Sequence, residues 1–165
     1  MKKEHPIKKY LQILISIGIS YSAGLIGSIF TVEAISGWYA TINKPSFNPP
    51  SWVFSPVWTI LYTLMGIAAY LVWKDRNKKK IKTANIALTF FGIQLVLNGL
   101  WSILFFGLNS PSLAFFEIML LWIAIIFTII YFFKINKTAA YLLIPYILWV
   151  SFAAFLNLNI WILNP

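Results

Sequence analysis

The length of its uncharged runs constrains this chain more than any other feature. Tyr10–Phe30, Trp52–Trp73 and Thr83–Phe116 contain no Lys, Arg, Asp or Glu, and beyond Glu117 the same is true of Ile118–Phe133 and Thr138–Pro165. About 20 apolar residues cross a bilayer as a helix. The sequence is 60% hydrophobic and 10% charged, against about 25% charged in soluble domains, so the solvent for most of it is lipid. The Thr83 run is too long for one crossing, and GLNSPS at Gly107–Ser112 supplies the turn. Five spans follow: 10–30, 53–73, 84–107, 112–133 and 139–163. Backbone groups in hydrocarbon must be bonded within the protein, so the expected fold is an all-α membrane protein. It is one domain, 1–165, a bundle of five transmembrane helices. The first run exceeds the roughly 7–15 apolar residues of a signal peptide and is read as a retained span.

Charge sets the orientation. The net charge is +9, but its distribution argues against nucleic acid. Lys2, Lys3, Lys8, Lys9, Lys74, Arg76, Lys78, Lys79, Lys80, Lys82, Lys134 and Lys137 fall on one side of the five-span plan, and Lys44 alone on the other. By the positive-inside rule the N-terminus is expected in the cytoplasm and the C-terminus outside. Cysteine is absent, which removes disulfides and thiolate chemistry.

Small residues suggest how the spans meet. Ser16, Ser20, Gly24 and Ser28 recur every four residues and should let a neighbouring helix of the same chain approach closely. Gly92 and Gly99 form a weaker pair on span three, open equally to packing within the chain or between two chains. Pro56 falls in the first turn of span two, Pro111 starts span four, and Pro145 is expected to kink span five from inside. Between spans one and two, NKPSFNPPSW (43–52) carries three prolines. Proline restricts its own φ and the residue before it, so this connector suits a preorganised lid.

Polar side chains within the spans gather in the half beneath that loop. Counted at about 1.5 Å per residue, Tyr62, Glu117 and Asn157 lie one or two turns in, Asn98 deeper, and Gln94 alone near the midplane. An intramembrane carboxylate is a functional candidate, although Glu117 could equally snorkel or assist a helix start. Trp38, Tyr39, Trp52 and Trp161 suit an interfacial belt, whereas Trp58, Trp101, Trp122 and Trp149 lie further in. Asn98 and Trp101, one turn apart, share a face. A flat hydrophobic ligand with polar edges would suit such a cavity. The only histidine is His5 in the N-terminal tail. Parts for conventional hydrolysis, phosphoryl transfer and metal catalysis are therefore missing, and no catalytic or metal-binding residue is assigned.

WYATINKPSFNPPSWVFSPVWTILYTLMGIAAYLVWKD resembles the translocator protein family, also called tryptophan-rich sensory proteins or peripheral benzodiazepine receptors. NGLWSILFFG (98–107), LAFFEIMLLW (113–122) and LLIPYILWVSFAAFLN (142–157) extend the likeness to every span but the first. The resemblance implies a five-helix bundle, commonly a homodimer, for which the Gly92 and Gly99 face of span three is one candidate interface. It also implies binding of porphyrins and benzodiazepine-like ligands without a required cofactor, in a prokaryotic cell membrane, in tetrapyrrole or stress regulation. It points to Tyr39 in the lid, Trp58 and Tyr62, Asn98 and Trp101, Glu117 in place of the usual aspartate, and Trp149, Ala153 and Ala154. The cholesterol-recognition pattern of animal members is absent, because no Lys or Arg follows Lys137. Three functions stay open: porphyrin receptor or carrier, light-dependent porphyrin-degrading enzyme, and regulatory membrane partner without a small ligand.

Overall fold

A computed structural model describes residues 6–77 and 80–165. Lys2, Lys3, His5, Lys78 and Lys79 lie outside the described residues, as does the side chain of Lys8. The elements are α1 (Pro6–Ser36), α2 (Trp38–Thr41), a 3-10 turn Ser51–Val53, α3 (Phe54–Asp75) and α4 (Ile81–Ser102). A π-helical turn Ile103–Gly107, α5 (Pro111–Phe133), α6 (Lys137–Tyr141) and α7 (Ile144–Leu163) complete them. Among the described residues, five helical stretches are long and apolar enough to cross a membrane: 9–36, 51–75, 81–107, 111–133 and 137–163. Their outward faces are apolar, with Leu14, Ile29, Val96, Leu120 and Leu148 all exposed, as lipid requires.

Two boundaries differ from the sequence expectation. The first helix continues past Phe30 to Ser36, because no breaker intervenes before Gly37 and the exposed Glu33 sits in its last turn. The fifth crossing is divided: α6 ends at Tyr141, Leu142 and Leu143 form a turn, and α7 restarts at Ile144. Pro145 therefore stands in the first turn of α7 rather than inside a kinked helix, where its missing N–H leaves no bond unmade. Asn136 caps α6 by accepting from the Ala139 N–H at 2.9 Å, and Ser110 caps α5 ahead of Pro111.

Packing forms a ring. α1 lies against α3 and α4, α4 against α5, and α5 against α7; α3 closes the ring mainly on α6, with little contact to α7. The small-residue stripe sets the tightest crossings. Ser16, Ser20, Ala23 and Gly27 are buried. Ser28, expected in that stripe, turns outward instead. A Cβ on Gly66 of α3 would stand 2.5 Å from the Ile17 Cα, so only glycine allows these two backbones their approach. Gly99 packs on the Ala23 carbonyl of the same chain, while a Cβ on Gly92 would meet nothing within 4 Å.

Because α3 meets α6 more than α7, the ring is tight at the end carrying the basic connections and loose at the other. The 37–53 connection covers the loose end.

Candidate functional site

Under that connection lies a cavity of about 470 Å³. Along each helix, the lining residues farthest from the cover are Tyr21, Tyr62, Asn98, Leu121 and Trp149, so it descends roughly 12–20 Å at the helical rise. Leu25, Ser28 and Val32 of α1, with Ser55 and Thr59 of α3, both line it and are exposed. The wall is thus incomplete between α1 and α3.

The cover is fastened at both ends. The Tyr39 hydroxyl donates to Asn48 Oδ1 at 2.8 Å, and Lys44 Nζ sits 4.9 Å from the centre of the Tyr39 ring. Burial pushes the Tyr39 hydroxyl pKa up, against an opposing contribution from Asn48, so it stays a neutral donor. Farther along, Asn43 N–H donates to Asn164 Oδ1 and Asn164 Nδ2 donates back to the Asn43 carbonyl, each at 2.9 Å. Phe47 stacks on Phe155 of α7 with centroids 5.2 Å apart.

Aromatic rings form the walls. Trp58 stacks on Tyr62 at 5.3 Å, and Trp101 on Phe105 at 4.9 Å. The π-helical turn after α4 carries Phe105 and Phe106, and both rings pack against Tyr39. Single π turns inside helices are frequent at functional sites.

A hydrogen-bonded relay lies at and below the floor. Tyr62 donates to Asn98 Oδ1 at 2.6 Å, Asn98 Nδ2 to the Tyr146 hydroxyl at 3.3 Å, and Tyr146 to Gln94 Oε1 at 2.7 Å. Trp101 Nε1 donates to Asn157 Oδ1 at 3.0 Å, and Asn157 Nδ2 to the Pro111 carbonyl at 2.7 Å. These bonds tie α3, α4, α5 and α7 together. They also engage the Tyr62 hydroxyl, the Trp101 indole and the Asn157 amide of the wall. Asn98 retains one amide hydrogen. The indole N–H of Trp149 is buried without a partner among the described residues, and Trp149 lines the cavity.

Of the residues singled out in the sequence, Tyr39, Trp58, Tyr62, Asn98, Trp101, Trp149 and Ala153 line the cavity together. Glu117 and Ala154 do not. Ala154 is buried in helix packing. Glu117 is 5% exposed, and both its oxygens lack a hydrogen-bond partner among the described residues. Burial inside α5, rather than snorkelling, describes it, and it adds no polar atom to the wall. The Trp101 N–H, expected to face a ligand, is spent on Asn157. Trp122, placed inside the belt by the sequence, donates to Ser151 Oγ at 2.9 Å. Sequence reasoning missed Phe105, Phe106 and Tyr146: an aromatic inside an apolar span reads alike whether it faces lipid or the interior. Tyr146 could have been suspected from its place beside Pro145.

Residues 16–162 match the model of the TspO/MBR family. The chain is 45% identical over 158 residues to the tryptophan-rich protein TspO of Chlorobaculum tepidum, covering 96% of this chain and 99% of that protein. It is 38% identical over 136 residues to the translocator protein of Homo sapiens, 82% and 80% of the two chains. To the tryptophan-rich sensory protein of Cereibacter sphaeroides it is 37% identical over 127 residues, 77% of each.

Proposed function

The chain belongs to the TspO/MBR family of multi-pass integral membrane proteins, and on that premise we propose that it is a receptor or carrier for porphyrin-type tetrapyrroles, able also to take benzodiazepine-like ligands. The observation that carries the reading is the covered, aromatic-walled cavity with the buried, unpartnered Trp149 indole N–H on its wall. Its 470 Å³ falls within the roughly 300–1,000 Å³ usual for small-molecule sites. A flat macrocycle would stack on Trp58 and Tyr62, and its polar edge would accept from the Trp149 indole and the remaining Asn98 amide hydrogen. The charge asymmetry supports an orientation with the basic end in the cytoplasm, and the likeness to the Chlorobaculum tepidum protein supports a prokaryotic cell membrane.

A catalytic reading has its own support. Trp58 stacked on Tyr62 sets two oxidisable rings against the same space, where a photoexcited porphyrin could react with them. Titration in the dark with a free-base porphyrin tests the receptor reading: saturable quenching of tryptophan emission is expected, and its absence would leave a partner without a small ligand. Illumination then separates the other two. Porphyrin consumed faster than in free solution, and slowed by Trp58→Phe or Trp149→Phe at porphyrin concentrations that saturate each variant in the dark, would make the protein an enzyme.

A further inference from the structure

A second hollow opens on the membrane-facing surface where α1, α3 and α4 meet, nearer the basic end. It holds about 330 Å³, and its walls include Ile15 and Ile19 of α1, Ala69 of α3, and Leu88 and Gly92 of α4. Gly92 leaves part of it open, since a Cβ there would meet nothing within 4 Å. At its mouth stands a cation. The Arg76 guanidinium lies over the Trp73 ring, 5.1 Å from the centroid, and both residues line the hollow.

Depth and charge select the occupant. Arg76 follows the last residue of α3, at headgroup level, and Ala69 lies seven residues, or about 10 Å, farther in. Leu88 and Gly92 lie roughly 10–17 Å from the start of α4. The hollow therefore runs from the interface toward the midplane of a hydrocarbon core about 30 Å thick, the course of one acyl chain. Lys74, Lys80 and Lys82 surround the same connection, and its acid, Asp75, already accepts from Asn136 Nδ2 at 2.6 Å. Against that one carboxylate, Lys74, Arg76, Lys80 and Lys82 leave the connection net positive toward a headgroup.

We propose that this hollow is a binding site for one phospholipid with an anionic headgroup, its phosphate on Arg76 and an acyl chain along Ala69 and Gly92. The cation–π contact with Trp73 holds the guanidinium ready, and basic pockets between membrane helices favour such headgroups. The site is separate from the covered cavity: none of Ile15, Trp73, Arg76 and Gly92 lines both.

The test is native mass spectrometry of the full chain extracted with phosphatidylglycerol or with phosphatidylcholine of identical acyl chains. One phosphatidylglycerol should be retained at about fivefold lower lipid concentration than phosphatidylcholine. Arg76→Gln should bring the two lipids within about twofold. Gly92→Leu should weaken retention of both with unchanged circular dichroism, because its side chain enters open space. Equal retention of the two lipids by the unaltered protein, or an Arg76→Gln variant indistinguishable from it, would overturn the proposal. So would a disulfide dimer formed by Gly92→Cys in bilayers. The chain has no cysteine of its own, so such a bond would show a second copy filling the hollow.

Discussion

Removing the Asn98 amide should destabilise the bundle through one neighbour above all, Tyr62. In Asn98→Ala the Tyr62 hydroxyl loses its 2.6 Å acceptor at a site where the residue is 7% exposed. Tyr146 loses less, since its contact with Asn98 is 3.3 Å and it keeps Gln94 at 2.7 Å. An orphaned buried donor costs about 1–3 kcal/mol in soluble proteins. In membranes, side-chain pairs couple by about 0.6 kcal/mol on average and 1.7 at most, because the unfolded helices find other partners in the bilayer. The lower scale governs here. Asn98→Ala and Tyr62→Phe should each destabilise by about 1 kcal/mol, and the double variant by less than their sum, with a coupling of about 0.6–1.7 kcal/mol. Equilibrium unfolding of the four proteins in mixed micelles, titrated with dodecyl sulfate and followed by circular dichroism, measures that cycle. Strict additivity would refute the bond as a source of stability. The relay would then merely satisfy groups that other partners serve equally well.

Other outcomes follow from the same geometry. Ala153→Leu puts a larger side chain on the cavity wall and should weaken porphyrin binding by about 1–3 kcal/mol with helicity retained, as a dark quenching titration would read. Asn164→Ala removes both 2.9 Å bonds to Asn43 and should speed hydrogen exchange at the Asn43 amide without altering the α5 amides; equal rates in the two proteins would refute the clamp. Free-base and iron porphyrins should bind comparably, because stacking and apolar burial act on the ring itself; a strong preference for iron with an axial-ligation absorption band would contradict this. A cysteine at Ser36 should react with impermeant reagents from the side opposite the basic connections, and labelling from the cytoplasm alone would invert the orientation.

The crossings were legible because uncharged length is a one-dimensional property, and hydrocarbon imposes it directly on the sequence. Helix ends were less so. The lack of a breaker in residues 31–36 permits helix beyond the core without requiring it, and Pro145 could equally have begun a helix or bent one. At the site, polar residues in apolar runs were conspicuous, so Tyr62 and Asn98 stood out. Their allegiance did not. Whether an amide faces a ligand or another side chain depends on the rotation of two helices about their axes, which spacing within one helix leaves undetermined. Glu117 shows the same limit: its depth could be counted, but the side of α5 it occupies required α7 in place. The π-helical turn at Ile103–Gly107 left no mark in ILFFG at all.

The paired amides of Asn43 and Asn164 carry a consequence for biogenesis. They join positions 121 residues apart, and the partner on the far side is held by α7, which leaves the ribosome after the other four crossings. Until that helix has inserted, the proline-rich segment between the first two crossings has nothing to rest against, and the interior aromatic rings stay open to lipid and water. Loop closure over such a separation comes late, after the local helices have formed. A hydrophobic guest could therefore settle among half-assembled helices and be enclosed as α7 docks, so that its enclosure would date from the completion of assembly.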